Sequence, residues 1–198
     1  MVLTKQGIRA SLPELYSART RLRKLCPEDG SRLRQLLSDP LVVQYVNRNN
    51  KPPEERALRL VQQIHTSAAA LEALHYVITL REQETVIGLI SYQHWNERNG
   101  QVQIGYILER DYWGKGLASE VVKEWLSLGF NTLGFRRVEG RCHEENGASA
   151  RVLLKNGMKL DRKLGYHGSG NEGTVVEVYG INAEEFVTLN KGTHQARF

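Results

Sequence analysis

Hydrophobic positions along the chain change spacing repeatedly, from alternation to intervals of three and four, and each change marks a strand giving way to a helix or the reverse. Arg19-Thr20-Arg21-Leu22-Arg23-Lys24-Leu25 is rich in charge, yet its spaced leucines predict a strand near a sheet edge. Pro27-Glu28-Asp29 reads as a helix start, Leu33, Leu36 and Leu37 form one buried stripe, and Asp39-Pro40 ends the helix. A second helix is expected from Pro52-Pro53-Glu54-Glu55, because proline is tolerated in a first turn and acids favour the positive end of the helix dipole. Its stripe is Ala57, Leu60, Val61 and Ile64, and the alanine-rich stretch from His65 to Leu74 extends it. Three strand-like runs follow, His75 to Arg81, Thr85 to Trp95 and Gln101 to Leu108, joined by turns short enough for an antiparallel meander. From Leu117 to Leu133 the period is helical again, with Val121, Val122, Trp125, Leu128 and Phe130 on one face. A strand at Val138 to Cys142 and a helix from Ala148 to Lys155, stopped by Asn156-Gly157, come next. Two further strands, Lys159 to Leu164 and Thr174 to Ile181, flank a glycine-rich turn from Tyr166 to Gly173. The expected order is β-α-α-β-β-β-α-β-α-β-β, an α+β arrangement.

Composition narrows this picture. With 198 residues, 40% hydrophobic and 25% charged, the chain is an ordinary globular domain, without the polarity of a disordered one. Its apolar runs are too short to span a bilayer, and the first residues lack a secretory apolar stretch, so a cytoplasmic protein with no membrane partner is expected. Cys26 and Cys142 are far apart and lack metal-ligand spacing, so no metal is expected. The net charge of +5 resides in residues 1 to 37, which hold eight Lys or Arg against three Asp or Glu. The rest is balanced and gives no reason to expect DNA. The basic segment suits either a solvated face or an acidic partner such as RNA or cofactor phosphates.

The segment with most chemistry is Arg110-Asp111-Tyr112-Trp113-Gly114-Lys115-Gly116, between the strand ending at Leu108 and the helix opening at Leu117. A helix N-terminus presents unpaired N–H groups and partial positive charge, and glycines let the preceding turn approach an anion, so this junction suits phosphate. Lys115 would add a charge. A P-loop is excluded because Leu117 follows Gly116, and a dinucleotide fingerprint because Ser119 occupies its third glycine position.

Gly105-Tyr106-Ile107-Leu108, followed by Tyr112-Trp113-Gly114-Lys115-Gly116-Leu117-Ala118, resembles the acetyl-CoA-binding motif of the GCN5-related N-acetyltransferases (GNAT), in their ribosomal-protein N-terminal acetyltransferase branch. The family writes [QR]-x-x-G-x-[GA]; here Asp111 stands first. Asn146-Gly147-Ala148-Ser149-Ala150-Arg151-Val152-Leu153-Leu154-Lys155-Asn156-Gly157-Met158 is similar to the family's N-x-x-S-x-R-[VA]-x-x-K-x-G-[FM] segment, and Glu177 to Ile181 with Glu184-Glu185-Phe186 resembles its closing strand and last short helix. The resemblance covers 19 to 188. It implies an N-terminal extension (1–18), a GNAT domain (19–188) and a C-terminal tail (189–198), the domain having a mixed, strongly twisted sheet of about seven strands flanked by helices.

The same resemblance implies acetyl-CoA as co-substrate, bound between the splayed strands Gln103 to Leu108 and Val138 to Cys142, and acetyl transfer to an amine through a tetrahedral intermediate. Ile107, Leu108, Tyr112, Trp113, Gly114, Lys115, Gly116, Leu117, Ala118, Asn146, Ser149, Arg151 and Lys155 fall at its cofactor positions. Ser149 is expected as the donor to the departing sulfur, although Asn146 and Ser149 also suit plain helix capping. Arg151 and Lys155 could reach phosphates or face solvent. Tyr112 and Trp113 are expected to pack beneath the loop. For the base, Glu109 and Tyr106 are the first candidates, with His94, Glu177 and Tyr179 behind them. The acceptor is a protein N-terminus or a small-molecule amine, ribosome association is one expectation, and the assembly is a monomer or homodimer. Acceptor contacts are expected from Asp39 to Leu74 and Tyr166 to Gly173. The contrasting reading is a non-catalytic CoA-binding or RNA-associated module on the same fold.

Overall fold

A computed structural model describes residues 12–45, 53–70, 72–166 and 174–195. It opens with a short strand, β1 (Leu15–Tyr16), paired antiparallel with β2 (Thr20–Lys24). Leu12 is buried, and Tyr76 donates its hydroxyl to the carbonyls of Leu12 and Pro13, so residues within the expected extension pack against the sheet. A 3-10 turn at Pro27–Asp29 leads into α1 (Gly30–Ser38). Asp39 does more than end this helix: its side chain accepts the Leu41 N–H and caps the one-turn helix α2 (Pro40–Val43). Helix α3 (Pro53–Ala69) stops before the expected Leu74, and β3 (Leu74–Leu80) begins there.

The meander continues through β4 (Val86–Asn96) and β5 (Gln101–Leu108), both as expected from the alternation. Helix α4 (Leu117–Ser127) carries on as a π-helical turn at Leu128–Thr132, then come β6 (Arg137–His143), α5 (Gly147–Lys155), β7 (Lys159–Tyr166) and β8 (Thr174–Asn182). The last helix, α6 (Ala183–Gln195), is longer than the expected short one and runs into the expected tail. The expected turn at 167–173, and 46–52 and 71 of the expected acceptor stretch, lie outside the described residues.

Among the described residues the sheet has eight strands in the order β1-β2-β3-β4-β5-β6-β8-β7, one more than expected because of β1. Every neighbouring pair is antiparallel except β5 and β6, which α4 joins as a parallel crossover. Each face carries an apolar layer. On one, Trp125 of α4 stacks on Tyr92 at 4.8 Å amid Ile90, Ile104 and Val138; on the other, Leu33 and Leu37 of α1 and Ile64 of α3 meet Val77 and Leu89. Burying such side chains contributes about 1.5–3 kcal/mol each.

Candidate active site

The parallel ladder between β5 and β6 runs from Gln101 opposite Arg137 to Ile104 opposite Gly140 and stops there. Gly105 to Leu108 keep their β4 partners but have none on the β6 side. The strands part where α5 packs close to the sheet: a Cβ at Gly140 would lie 2.7 Å from the Leu153 side chain, which would have to shift to admit it. The gap exposes main-chain N–H and C=O groups of β5, which need partners from outside the sheet.

Two clefts meet at this gap, and Tyr106, Ile107, Asn146 and Ser149 line both. The first, of about 410 Å³, runs along the loop before α4 and is lined by Leu108, Tyr112, Trp113, Gly114, Gly116, Leu117, Ala118, Arg151 and Lys155. Gly114 and Gly116 hold φ of 71° and 80°, a left-handed conformation that other side chains resist. These glycines bring the loop into the first turn of α4, whose N-terminal N–H groups then border the cleft. Arg19, from the turn before β2, donates to the Lys115 carbonyl at 2.8 Å and pairs with Glu120 of α4 at 2.6 Å. Ser17 donates to the other Glu120 oxygen at 2.9 Å. These contacts outweigh the opposing effect of burial and hold the Glu120 pKa below its usual value.

At the junction, the Tyr106 hydroxyl lies 2.7 Å from Ser149 Oγ and 3.1 Å from the Ser149 carbonyl. Burial raises the Tyr106 pKa well above its usual value, so the phenol stays protonated at neutral pH. When the phenol donates its hydrogen bond to Oγ, the serine hydroxyl is free to donate into the cleft. Asn146 caps α5, its Oδ1 accepting the Ser149 N–H at 3.1 Å, which leaves its amide NH₂ for a ligand. Cys142 is also at the gap, but burial, aided by nearby Glu177, pushes its thiol up to about 11. A thiol so protonated is a poor nucleophile.

The second cleft, about 550 Å³, opens towards α3. Cross-strand register builds its floor: His75 lies opposite Ser91 and Ser91 opposite Gly105, while Gln93 lies opposite Gln103. Gln93 donates to Ser91 Oγ at 2.6 Å, and His75 Nε2 lies 2.9 Å from Ser67 Oγ of α3. The bulge after Gln93 puts His94 at φ 52° on the wall.

Comparison with known proteins fits this geometry. The model of the acetyltransferase (GNAT) domain matches residues 19–159. This chain belongs to the GNAT acetyltransferase family. It is 32% identical over 165 residues to the "Uncharacterized N-acetyltransferase p20" of Bacillus licheniformis, covering 83% of this chain and 92% of the relative. The GNAT-family acetyltransferase structure from Bacillus anthracis superposes with a TM-score of 0.74 at 24% identity, over 87% of this chain and 99% of that one. Mycobacterium smegmatis RimJ in complex with CoA-disulfide gives 0.72 at 16% identity, over 86% and 89%. The protein is therefore an acyltransferase, and over 80 residues, 40% of this chain and 45% of the relative, it is 28% identical to the "Ribosomal-protein-serine acetyltransferase" of Escherichia coli (strain K12).

Several side chains of this GNAT domain stand elsewhere than expected. Glu109 is not on either cleft; both its oxygens accept from Arg32 of α1, at 2.7 and 2.6 Å. Glu177 is paired with Lys163 at 2.9 Å and accepts from Tyr179 at 2.7 Å, and although it stands opposite Cys142 it lines neither cleft. The Lys115 ammonium turns back over the Tyr112 ring, 5.5 Å from its centroid, and leaves the cleft lining to the glycines. Tyr112 packs against the core as expected, but Trp113 is exposed, with its indole N–H donated to the Leu108 carbonyl. Within the basic segment Arg21 pairs with Glu14, Arg23 with Asp29, and Arg32 with Glu109, while Lys5 and Arg9 lie outside the described residues. Sequence reading missed Arg19, Glu120, His75 and Gln103.

Proposed function

We propose that this GNAT enzyme transfers the acetyl group of acetyl-CoA to a primary amine, of a protein N-terminus or a small molecule, by direct attack. The observation that carries the reading is the paired hydroxyls of Tyr106 and Ser149 at the junction of a glycine-edged anion cleft with a polar cleft. The first cleft fits a CoA thioester in its chemistry. The glycine loop and the first turn of α4 would take the phosphates, with Arg151 and Lys155 on the same wall, and the unpaired edge of β5 and the Asn146 amide would take the amides of the arm. That RimJ is described with CoA-disulfide supports such a use of the fold. Bound there, the thioester supplies the electrophilic carbonyl carbon.

The acceptor nitrogen approaches from the polar cleft and bonds to that carbon; the C–S bond breaks as the tetrahedral oxyanion collapses. The nitrogen loses a proton to solvent and the sulfur gains one. Ser149, backed by Tyr106, donates towards the sulfur, so departure of the thiolate is assisted. Holding both reactants at the gap contributes through orientation alone, and no acetylated side chain is needed.

The test uses purified protein. Acetyl-CoA and CoA should raise the melting temperature, and the Gly116→Val protein should fold without showing that rise, because a β-branched residue resists φ 80° and crowds the loop. Thiol release in the presence of an amine panel should accompany binding. A melting curve unmoved by either ligand would remove the cofactor reading, and binding without thiol release would leave a CoA-binding module.

A further inference from the structure

The acceptor cleft has an unusual charge balance for a site that takes amines. Among the described residues lining it, Arg141 is the one permanent cation and Glu72, exposed on the turn before β3, the one carboxylate. A polyamine requires several anions to replace its hydration, and the floor built by His75, Ser91, Gln93 and Gln103 offers neutral hydrogen-bonding groups instead.

Arg141 is placed by the same break in the sheet that opens the site. It is the first residue of β6 beyond Gly140, where the parallel ladder ends, and alternation puts it on the face shared by Glu139 and His143. Glu139 pairs with Gln103 in the ladder, so this is also the face of the polar floor. Arg141 is weakly held by its own chain. Among the described residues its one polar partner is Glu139, with Nη2 3.6 Å from the nearer oxygen, beyond hydrogen-bond range. Glu139 has no need of it, since Arg162 donates to both carboxylate oxygens at 3.2 Å and Arg137 contacts one at 3.5 Å. Burial opposes ionisation of Glu139, and the hydrogen bond and charge of Arg162, with the charge and hydrogen bond of Arg137, overcome it. A guanidinium with five donors thus borders the acceptor cleft without a side-chain hydrogen bond to the described residues.

We infer that Arg141 anchors a carboxylate of the acceptor, and that the acceptor is an α-amino acid whose amine is held at the gap beside Ser149. The inference rests on the transferase reading above. A planar fork of N–H groups matches a carboxylate bidentately, and an α-carboxylate is close enough to its amine for one side chain to orient the nitrogen. The product is the N-acetyl amino acid, with CoA released as the thiol. The remaining lining, His143 and Tyr45 included, would meet the amino-acid side chain.

The experiment measures thiol release from acetyl-CoA by the full-length protein with each common L-amino acid, the matching L-amino acid amides, a short peptide with a free N-terminus, and spermidine. The expected result is a kcat/KM for at least one amino acid about tenfold or more above that for its amide, the effect of a hydrogen-bonded charge. Arg141→Gln should bring that ratio close to one, chiefly through KM for the acid, and Arg141→Lys should restore part of it. Melting curves with acetyl-CoA check that each variant folds and binds cofactor. A preference for amides, peptides or spermidine, or an acid-to-amide ratio that Arg141→Gln leaves unchanged, overturns the inference while leaving the transferase intact. Absence of turnover with every amine overturns it too, and the acetyl-CoA melting shift then tells whether the cofactor reading survives.

Discussion

Arg19 and Glu120 meet at 2.6 Å across the base of the cofactor loop, and the same guanidinium donates to the Lys115 carbonyl. Glu120 lies in the first turn of α4, where its charge favours the helix dipole but opposes phosphates arriving at the same N–H groups. Arg19 offsets that charge and holds the Lys115 carbonyl by a hydrogen bond. Arg19→Ala should therefore weaken acetyl-CoA binding about two- to fivefold, matching about 0.3–1 kcal/mol for a charge at a helix terminus. Glu120→Gln in the Arg19→Ala background should recover most of the loss. Equal affinity in wild type and Arg19→Ala, measured by titration calorimetry, would confine the pair to fold stability.

The Ser149 and Tyr106 hydroxyls form one unit, 2.7 Å apart. Ser149→Ala should slow the chemical step by about 10²-fold, at the lower end of the effect of a positioned acid, because a thiolate already leaves readily. Acetyl-CoA affinity should change little. Tyr106→Phe should slow the same step less, and the double variant should be no worse than Ser149→Ala, since the phenol acts through the serine. Single-turnover thiol release on the three proteins checks this. Additive losses would mean that the two hydroxyls work separately.

Glu109 occupies a suggestive position, at the end of β5 beside the cofactor loop, yet it belongs to an ion pair with Arg32. Glu109→Gln should leave turnover within about twofold of wild type. It should lower stability by about 1 kcal/mol, the upper range for a partly exposed pair. A loss of turnover of a hundredfold with an unchanged melting temperature would return Glu109 to the mechanism.

This contrast shows what spacing along the chain can carry. The alternation in β4 and β5, the stripe of Val121, Val122 and Trp125, and the glycines before Leu117 are local signals, and each corresponds to an element of the fold. The positions of Asn146 and Ser149 at the start of α5 were legible for the same reason. Arg32 and Glu109 are 77 positions apart, and Arg19 and Glu120 are 101 apart, so nothing local announces either pair. Strand β1 has two residues, is paired with β2, and follows Leu12 and Pro13, whose carbonyls the Tyr76 hydroxyl holds. The polar floor depends on which residues of β3, β4 and β5 stand opposite one another, and register is a tertiary outcome.

His75, on that floor, ties the acceptor cleft to the stability of the fold. Burial, helped by a smaller like-charge effect from His65, lowers its pKa from 6.5 to about 4, so the imidazole is neutral at pH 7. It also keeps a second positive charge out of a cleft where the amine must react in its neutral form. Between pH 6.5 and 4 the unfolded chain binds a proton at this position that the folded chain refuses. Stability therefore falls as pH drops through that window, by on the order of 3 kcal/mol at its lower end, and below it both states are protonated and this contribution no longer changes. His75→Gln removes the proton site while a side-chain amide can still reach Ser67, so its stability should decline less steeply between pH 6.5 and 4. Urea unfolding at several pH values measures both slopes. Parallel curves for the two proteins, or an imidazole titrating near 6.5 by NMR in the folded protein, would show that the proton reaches His75 freely and that the cleft does not hold it neutral.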